Sequence, residues 1–543
     1  MSKVAHYLQE HLVGEVMTGT DARRYFATDG SILQLAPSLI VYPRSENDVR
    51  KTARFSWQLA ERGRIIPITA RGSGTNQTGS AIGSGIMLVF PAHMNRILEM
   101  DSKASTVTVE PGINYAKLQQ TLHTHGRFLP PYPASLDYST IGGAIAENVS
   151  GEKSIKYGDT RNYVKNLRVV LANGEVIETG RLNKRELSKK LGLATFEGEI
   201  YRSVDTLLEE HHDLIEQIER SVSHNNAGYA LNNIKQRDGS FDLTPLMVGS
   251  QGTLGIVTEA TLSTEAHNPQ TTLMMARFDS IEYLQQAILE LNNFPDLPSV
   301  VELIDQNVLE QVHELNPNQL KEIIKPPFPA FILLVEFDNS DRSLKKIVKR
   351  ADKLFEKYAT AVQVETEPEE QVHLWKLREA TSMLIGHNEG TRHSVPLIDA
   401  AVPPERLREY IEAVYALLKD VGIKPALWGH AGDGNVYLQP ELNLNQVGDL
   451  QKAFRFLNEY SALVIKLGGT ISSSSSDGRM RTPYLEQMYG SELYSLFEKL
   501  KQIFDPYGTL NPGVKFGTSL DDIKGMIRTD YSLEHLYDHL PRS

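Results

Sequence analysis

The chain has 543 residues, a formal net charge of −12 and no cysteine. At about 150 residues per domain, this length predicts two to four domains. The missing cysteines exclude disulfides, thiolate nucleophiles, cysteine-ligated zinc and iron–sulfur clusters held by this chain, and the acidic balance argues against nucleic acid as a partner, because phosphate binding needs a basic surface.

The N-terminal region and the apolar runs predict the compartment. Residues 1–15 contain no basic segment followed by an apolar core, so we expect no secretory signal. The longest apolar stretches, such as Ile86–Phe90 and Phe331–Val335, are far shorter than the roughly 20 residues that span a bilayer. We expect a cytoplasmic protein, with contact to the inner face of the membrane left open. No repeat of about 20–50 residues is visible, which argues against solenoids and propellers.

Short β-rich runs alternate with helices between residues 33 and 262. In the first predicted helix, Val49, Ala53, Trp57 and Ala60 fall on one face. This alternation indicates an α+β or α/β first half. The predicted strands are Leu39–Tyr42, Ile65–Thr69, Thr106–Glu110, Leu167–Leu171 and Gly255–Leu262, and the predicted helices include Glu46–Arg62 and Tyr115–Thr124.

The pattern changes near Pro269, where a polar turn precedes a new strand. From there strands and helices alternate, which predicts a second domain with helices packed on a sheet. The predicted order is strand Thr272–Phe278, helix Ser280–Leu291, strand Ser299–Ile304, helix Gln306–Leu315, strand Ala330–Phe337 and helix Ser343–Tyr358. The proline-rich stretch Asn318–Pro329 predicts a surface loop, since prolines remove backbone donors.

The most informative segment is the glycine-rich stretch Arg71–Gly79, which directly follows a predicted strand. Glycines allow positive φ and close backbone approach, so successive N–H groups can converge on a phosphate or pyrophosphate. The stretch is not a Walker loop, since no Gly-Lys-Ser/Thr follows, and it is not a G-x-G-x-x-G dinucleotide fingerprint. An ordinary glycine-rich turn without a ligand is the alternative interpretation.

Further glycine-containing segments follow at Pro133–Asn148 and Gly249–Thr258. In this order and spacing, the three segments resemble the FAD-binding domain of the vanillyl-alcohol oxidase and p-cresol methylhydroxylase type. The resemblance implies an α+β fold, with a two-subdomain FAD-binding domain followed by an α+β cap domain that receives the substrate.

By that resemblance, Arg71–Gly79 cradles the pyrophosphate, Thr140–Gly143 and Asn148 lie along the flavin and ribityl chain, and Ile256 lies against the adenine side. Some members hold the flavin covalently through a histidine in the first glycine loop or a cysteine further on. This loop has no histidine and the chain has no cysteine, so the resemblance implies non-covalent FAD. The residues expected to bind FAD are Arg71, Gly72, Ser73, Gly74, Thr75, Asn76, Gly79, Pro133, Ser139, Thr140, Gly142, Gly143, Asn148, Gly151, Tyr157, Gly158, Gly255, Ile256 and Asn511.

The C-terminal half carries a second set of matches. The segments Gly429–Asn435, Trp375–Glu379 and Asp399–Pro403 resemble the branch of D-lactate dehydrogenase, glycolate oxidase and D-2-hydroxyglutarate dehydrogenase. Near the end, Phe504–Gly513 is similar to the closing segment of that branch, in which Asn511 would return to the flavin. The resemblance extends from about Pro37 to Gly513.

The same comparison identifies departures from the branch. In its metal-dependent members, the histidine of the Gly-His motif is joined by a second histidine seven positions on and by a glutamate in a Ser-Gly-Glu-His-Gly-type segment. Here the position seven beyond His430 is Tyr437, and Ser474 and Ser475 align with the glutamate and the following histidine. One histidine cannot hold a divalent ion that normally needs three protein ligands, so we expect no metal.

A cation of the usual site is also missing, since Leu397 stands where the branch carries a lysine two residues before Asp399. Arg378 remains and could pair with a substrate carboxylate through two parallel hydrogen bonds. A surface or interdomain ion pair, with Glu379 or another carboxylate, is the alternative for this arginine. His430 is either a histidine hydrogen-bonded inside the cap or a proton-transfer group.

The serine run permits two interpretations. For Ser472 and Ser473 we favour a flexible or simply polar turn, which is typical of low-complexity serine. Ser474 and Ser475 stay open, because they align with functional positions and could line a site with neutral hydrogen-bonding groups. Tyr437 is either a packed aromatic or a phenol that assists proton transfer, although an ordinary pKa of about 10 makes it a poor base at neutral pH.

The leading hypothesis is a FAD-dependent dehydrogenase that oxidises a small hydroxy-acid-like substrate by hydride transfer to the flavin, with His430 and Arg378 as catalytic residues and an external electron acceptor. The alternative is a flavin-binding protein, or a partner subunit, with a degenerate catalytic site. The sequence leaves the substrate, a homodimer and peripheral membrane contact open. The domains expected are an N-terminal extension (1–35), the FAD-binding domain (36–266), the cap domain (267–475) and a C-terminal segment that returns to the flavin (476–543).

Overall fold

The computed structural model describes residues 3–339, 341–386, 388–389 and 392–528. Its first elements in chain order are α1 (Lys3–His11), β1 (Glu15–Met17), α2 (Thr20–Tyr25), β2 (Leu39–Tyr42), α3 (Glu46–Ala60), β3 (Ile68–Arg71) and β4 (Ile86–Val89). The four strands form one sheet in the order β1-β2-β4-β3. Strands β2, β4 and β3 are parallel, and β1 is antiparallel to β2. β1 therefore ties the N-terminal region into this sheet.

Helix α3 covers this sheet with the face that its spacing predicts. Val49 and Ala53 are fully buried in the core of this layer, and Trp57 packs at its margin. The prediction of β2 is confirmed residue for residue. The strand predicted next begins later than expected, at Ile68, because Pro67 has no N–H to donate to a ladder.

A second, antiparallel sheet has the order β5-β6-β10-β8-β9, and β7 pairs with β11 beside it. Helices α4, α5 and α8 pack on a common core with this sheet. These elements are β5 (Ile97–Asp101), β6 (Thr106–Val109), α4 (Tyr115–Thr124), β7 (Arg127–Phe128), α5 (Ile141–Glu147), α6 (Ser154–Tyr157), β8 (Val164–Val170), β9 (Val176–Glu178), α7 (Lys184–Leu191), α8 (Phe196–Glu210), α9 (His212–Ile215), α10 (Thr244–Met247), β10 (Ile256–Ser263) and β11 (Glu265–Ala266).

The cap region is built on a seven-stranded antiparallel sheet in the order β15-β12-β14-β13-β19-β20-β18, with a three-stranded sheet β16-β17-β21 beside it. Its elements are β12 (Thr272–Phe278), α11 (Ile281–Asn292), β13 (Val300–Asp305), α12 (Gln306–Leu315), β14 (Phe331–Phe337), α13 (Asp341–Tyr358), β15 (Ala361–Glu365), α14 (Pro368–Glu379), α15 (Thr381–Gly386), β16 (Asn388–Glu389), β17 (Arg392–Ser394), β18 (Ile398–Ala401), α16 (Leu407–Val421), β19 (Trp428–His430), β20 (Asn435–Leu438), β21 (Glu441–Leu442) and α17 (Val447–Lys466).

Both faces of the cap sheet are covered. Val301 and Leu303 of β13 point into a core shared with α11, α13, α16 and α17, whereas Ile304 points into a core shared with α12 and α14. Because side chains alternate along a strand, the residue between Val301 and Leu303 faces α12 and α14. The predicted alternation of strands and helices in this half is confirmed, and β12 and α12 match their predicted bounds.

The chain then returns from the cap to the second sheet. Helix α18 (Leu485–Phe504) is interrupted by Gly490, which has a φ of 79°. Leu493 and Phe497, which follow this break, enter the core of the second sheet. A short helix α19 (Leu520–Gly525) ends the described elements. The predicted α+β fold is confirmed, and no helix in the described residues has the length and apolarity to cross a membrane.

Candidate active site

A buried glutamate occupies the middle of β13. Glu302 has no exposed surface and faces α14, so its carboxylate needs partners inside the protein. Arg378 donates from Nε to Oε2 over 2.6 Å, and Nδ1 of His430 contacts Oε1. Burial alone would raise the pKa of Glu302, but the two basic side chains lower it by more, so that the pKa lies below its ordinary value. Glu302 is therefore an ionised carboxylate between two bases.

His430 lies directly across from Glu302 in the β13–β19 ladder. Since Glu302 is ionised, Nδ1 of His430 carries the proton and donates it to the carboxylate. Among the described residues, Nε2 has no hydrogen-bond partner, and the ring meets Tyr437 edge-on at a centroid distance of 5.5 Å. Burial lowers the pKa of His430, but Glu302 raises it above the ordinary value. The geometry leaves Nε2 able to accept a proton.

Arg378 stands at the C-terminal end of α14 and is largely buried. Besides its bond to Glu302, it donates from Nη1 to Oγ1 of Thr381 over 2.9 Å. Its ion pair is with Glu302 inside the cap rather than with the exposed Glu379. Within the described part of the chain, Nη2 of Arg378 has no hydrogen-bond partner, so one edge of the guanidinium is left for a ligand.

Residues from the first half of the chain face this cluster. The hydroxyl of Tyr132 donates to Glu152 over 2.7 Å, and Lys153 forms a buried ion pair with Glu336 of β14. Burial and the charge of Glu302 raise the pKa of Glu152, while Arg378 acts in the opposite direction. The cluster therefore lies where the segment after Gly151 meets the cap sheet.

Tyr437 begins a chain of hydrogen bonds on the neighbouring strand. Its hydroxyl donates to Oγ of Ser474 over 2.6 Å, and Ser474 donates to Asp399 over 2.7 Å. Burial and Asp399 raise the pKa of Tyr437 well above its ordinary value. Tyr437 is thus a hydrogen-bonded aromatic in the site wall and not a base. The other oxygen of Asp399 accepts from Ser475 over 2.7 Å, and Arg481 lies 3.4 Å away.

The interpretation of Ser472 and Ser473 as a flexible or polar turn is wrong. Ser472 and Ser473 are at most 1% exposed, and the hydroxyl of Ser472 donates to Asp477 over 2.6 Å. The backbone N–H of Ser473 donates to the carbonyl of Asp399. Buried hydroxyls generally have a hydrogen-bond partner, and for Ser472 this partner is the carboxylate of Asp477. The run is part of the packed wall.

The glycine-rich loop after β3 lies against the start of α5. An added Cβ at Gly72 would fall 2.2 Å from Oγ1 of Thr140, and Oγ1 of Thr75 lies 3.2 Å from Oγ of Ser139. Thr140 caps α5 by accepting from the N–H of Gly143. The structure therefore brings the first two predicted cofactor segments into contact. Ser73 is exposed at the tip of the loop.

Arg71 does not point into the loop that it opens. Its Nη1 donates to the carbonyls of Thr28 and Ala81 over 2.7 and 3.1 Å, and its guanidinium lies over Phe26. The arginine passes so close beneath Gly74 that a Cβ there would lie 2.1 Å from Nη2. Arg71 supports the loop from below.

A buried network joins the loop to the later segments. Asn76 accepts from the N–H of Ser80, and Ser80 donates to Glu147 over 2.7 Å. Gln251 donates to both oxygens of Glu147 over 3.0 Å. The side chain of Asn511 donates to the carbonyls of Ser80 and Gln251 over 2.9 and 2.8 Å. The side-chain amide of Asn511, which the resemblance predicts to return to the flavin, is thus bonded within the protein.

Other predicted cofactor residues shape the surrounding backbone. Asn148 has a left-handed conformation with a φ of 49° and donates to Asp159 and Asn226 over 2.7 and 2.6 Å. The hydroxyl of Tyr157 donates to Asp338 over 2.8 Å, across to the cap. The remaining predicted residues are described by their backbone contacts. They are Gly79 beside Leu33, Pro133 accepting from the N–H of Leu136, Gly142 against Pro111, Gly151 against Tyr132, Gly158 beside Asn162, Gly255 against Val169, and Ile256 of β10 opposite Val170.

Sequence reasoning missed Glu302 and Glu152. The signal for Glu302 is a single charged residue amid the apolar residues Val300–Ile304, since a charge is buried only when it is paired. No comparable signal marks Glu152, because it lies in a polar loop between predicted motifs. The place of Glu152 beside the cluster becomes visible only when the two halves of the chain are placed together.

Comparisons with known proteins identify the two halves. Residues 37–180 match the FAD binding domain family, and residues 267–514 match the family of FAD linked oxidases, C-terminal domain. The chain is similar to D-2-hydroxyglutarate dehydrogenase of Pantoea ananatis, with 29% identity over 97% of this chain and 52% of that protein. It is also similar to glycolate oxidase subunit GlcD of Bacillus subtilis, with 29% identity over 89% of this chain and 90% of that protein. The chain spans about half the length of the D-2-hydroxyglutarate dehydrogenases that it matches.

The fold has counterparts among solved structures. p-Cresol methylhydroxylase superposes with a TM-score of 0.69 at 15% identity, over 96% of this chain and 97% of that one. At this identity the likeness shows the fold alone. The described residues fit a FAD: the glycine loop, Thr140 and the loop around Gln251 converge, and they approach one another this closely because the loop carries glycine where a Cβ would strike Thr140 or Arg71.

Proposed function

Because the two halves of this chain match the FAD binding domain family and the C-terminal domain family of FAD linked oxidases, we propose that it is a dehydrogenase of small 2-hydroxy acids. The observation that carries the proposal is the convergence of Arg378 and His430 on the buried Glu302. A carboxylate-binding cation and a proton acceptor are the two groups that oxidation of a 2-hydroxy acid needs from a protein. The relatives' printed names, D-2-hydroxyglutarate dehydrogenase and glycolate oxidase, support this substrate class.

Bound FAD supplies the two-electron acceptor for this chemistry. Nη2 of Arg378, the edge of the guanidinium left without a partner, binds the substrate carboxylate. Nε2 of His430 takes the proton from the substrate hydroxyl, and Glu302 holds the imidazole with its other nitrogen protonated, so that Nε2 has a free lone pair. Tyr132 and Glu152 close the site on the side of the FAD-binding half and help to exclude water.

No metal ion has a role in this proposal. Tyr437 and Ser474 stand where the related metal-dependent enzymes carry ligands, and their hydroxyls are bonded to each other. Among the described residues, no group of three or more histidine, aspartate or glutamate side chains is arranged to hold a metal. We propose that the hydroxyls of Tyr437 and Ser474, held by Asp399, take the place of the metal as a hydrogen-bonding surface.

The test is whether a substrate reduces the FAD-loaded protein under anaerobic conditions. Loss of the flavin absorbance in a stopped-flow instrument measures this reduction. Glycolate, the two lactate enantiomers and D-2-hydroxyglutarate are compared with an alcohol that lacks a carboxylate. We expect at least one 2-hydroxy acid to bleach the flavin, and we expect Arg378→Gln to raise its half-saturating concentration at least tenfold. Glu379→Gln, a change at the exposed neighbour, serves as the control.

Two results would contradict the proposal. Bleaching by none of the hydroxy acids, with the flavin still reducible by dithionite, would favour a flavin-binding protein without dehydrogenase activity. Equal bleaching by the alcohol and the hydroxy acids, unaffected by Arg378→Gln, would show that the protein does not recognise the substrate carboxylate. We also propose that an external acceptor reoxidises the flavin, which a dye such as dichlorophenolindophenol tests in steady state.

A further inference from the structure

A basic groove lies between α11 and α13, on the side of the cap sheet opposite the candidate active site. It has a volume of about 580 Å³. The C-terminal end of α11 supplies Asn293 and Phe294 on one side, and α13 supplies the other. The charged residues that line it are Lys346, Lys349, Arg350, Lys353, Lys357 and Glu290.

The cations of this groove are mostly without countercharges. Lys357 lies 3.3 Å from Glu290, which also accepts from Tyr358. In the described part of the chain, Lys346, Lys349 and Lys353 make no ion pair, and all three are exposed. These charges contrast with the net charge of −12 of the whole chain.

The spacing of these residues makes them repel one another. Lys346 and Arg350 are four residues apart on α13, as are Lys349 and Lys353, and like charges at this spacing destabilise a helix. The apolar face of α13 is buried, with Ile347 and Phe355 in the cap core, so all the cations are gathered on one side. A bound polyanion would remove this repulsion.

We propose that the groove between α11 and α13 is a binding site for a phosphate-bearing polyanion. Lysine ammonium groups are compact charges with rotatable donors that bind phosphate oxygens as point charges, and the planar fork of an arginine also fits a phosphate. The single arginine, Arg350, lies with its guanidinium 4.5 Å from the centre of the Phe294 ring and is thereby oriented. The same phosphate chemistry occurs on soluble polyphosphates and on lipid headgroups.

The position of the groove separates it from the proposed catalysis. Ile347 and Phe355 of α13 pack in the core on one face of the cap sheet, and Arg378 and Glu302 lie on the other face. A ligand in the groove therefore leaves the candidate active site open. The proposal does not depend on the dehydrogenase activity.

The experiment uses the full chain loaded with FAD and two probes. Tripolyphosphate is titrated by isothermal calorimetry, and binding to vesicles of phosphatidylcholine with or without phosphatidylglycerol is measured by co-sedimentation. We expect at least one probe to bind, binding to weaken as NaCl is raised, and the variant Lys349→Glu/Lys353→Glu to bind at least tenfold more weakly. Tripolyphosphate binding would identify a soluble ligand, and selective binding of phosphatidylglycerol vesicles would identify a lipid surface.

Folding of the variants is tested separately. Lys349→Glu/Lys353→Glu exchanges one pair of like charges for another, but the new carboxylate at position 353 lies four residues before Lys357, so the melting temperature without ligand is expected to stay close to that of the wild type. Lys189→Glu, an exposed change on α7 far from the groove, is the control and should keep full binding. Failure of both probes to bind the wild type, or equal binding by wild type and groove variant, would overturn the proposal.

Discussion

Glu302 is the residue on which the candidate site depends. Its carboxylate accepts from Arg378 and holds His430, so that its charge sets both the position of a cation and the protonation of a base. Removal of one partner from a buried charge cluster leaves the others uncompensated, which is costly. A change at Glu302 should therefore alter proton transfer and stability together, and the two effects can be separated by their dependence on pH.

We expect Glu302→Gln to shift the pH dependence of flavin reduction to lower pH. His430 acts as a base when it is neutral, and Glu302 raises its pKa, so the wild-type rate should increase as pH rises through that raised value. Without the carboxylate the increase should occur at lower pH. The measurement is the rate of flavin reduction by the best hydroxy acid across pH, with Glu379→Gln as the matched control.

The same variant should also be less stable, by about 3–5 kcal/mol, because two basic groups lose their buried partner. Urea denaturation followed by circular dichroism measures this loss. An unshifted pH profile in a folded Glu302→Gln protein would show that Glu302 does not control His430.

FAD should leave the protein when the chain is denatured. By the resemblance, covalent attachment would use a histidine of the glycine loop or a cysteine further on, but residues 71–79 contain no histidine and the chain contains no cysteine. Denaturation followed by filtration should place all the yellow colour in the filtrate, and absorbance of the retained polypeptide measures any remainder. Colour that stays with the polypeptide after repeated washing would contradict a non-covalent cofactor.

At the scale of elements, the C-terminal return of the chain is held by a fully buried ion pair. Nζ of Lys515 lies 2.8 Å from Asp477 and donates to the carbonyl of Gly228 over 2.8 Å. Asp477 also accepts from Ser472, so the serine run, the segment after α18 and the loop before β10 share one anchor. This anchor keeps the wall that carries Ser474 in place.

Asp477→Asn should therefore destabilise the protein by about 3–5 kcal/mol, because Lys515 would remain as a buried charge without a countercharge. The double variant Asp477→Asn/Lys515→Met should recover part of that loss, since no charge is left uncompensated. Thermal unfolding of the two variants measures the difference. A double variant as unstable as the single one would show that the pair acts through packing and not through its charges.

The predictable part of the fold is the part with local signals. Strand β12 and helix α12 could be predicted to the residue, because alternation and helical spacing are properties of contiguous sequence. The partners of Glu302 lie 76 and 128 positions away, at Arg378 and His430, and such pairing leaves no local pattern. The place of Arg71 in a motif predicts a cofactor-binding residue, whereas the direction of its side chain depends on the carbonyls of Thr28 and Ala81.

At the scale of the whole molecule, charged contacts join the two matched domains. Lys153 pairs with Glu336, and Lys156 and Tyr157 bind Asp338. His224, in the segment between the two domains, lies 3.9 Å from Asp159 and 3.5 Å from Asp433. Asp159 belongs to the FAD binding domain and Asp433 to the C-terminal domain, so this histidine links them.

His224 makes the stability of this link depend on pH. Burial opposes its charge, but Asp433 and Asp159 outweigh burial and raise the pKa of His224 to about 10. In the unfolded chain a histidine has a pKa of about 6.5, so the charged imidazole stabilises the folded state. That contribution is complete below pH of about 6.5 and is lost as pH rises towards 10, since the folded protein must then release the proton. Arg161 is a second cation at this link, 4.0 Å from Asp159, and burial lowers its pKa although Asp159 acts in the opposite direction.

We therefore expect His224→Gln to be less stable than the wild type by a few kcal/mol at pH 6, because the raised pKa reflects a charged imidazole that the folded state stabilises. The difference in the free energy of unfolding should shrink steadily towards pH 10. Comparing two proteins at each pH cancels the titration of all other groups, because these are shared. Urea denaturation at a series of pH values measures the difference directly, and His212→Gln, at an exposed histidine, is the control. A difference that stays constant from pH 6 to pH 10 would mean that His224 is neutral in the folded protein and that the two domains are held by other contacts.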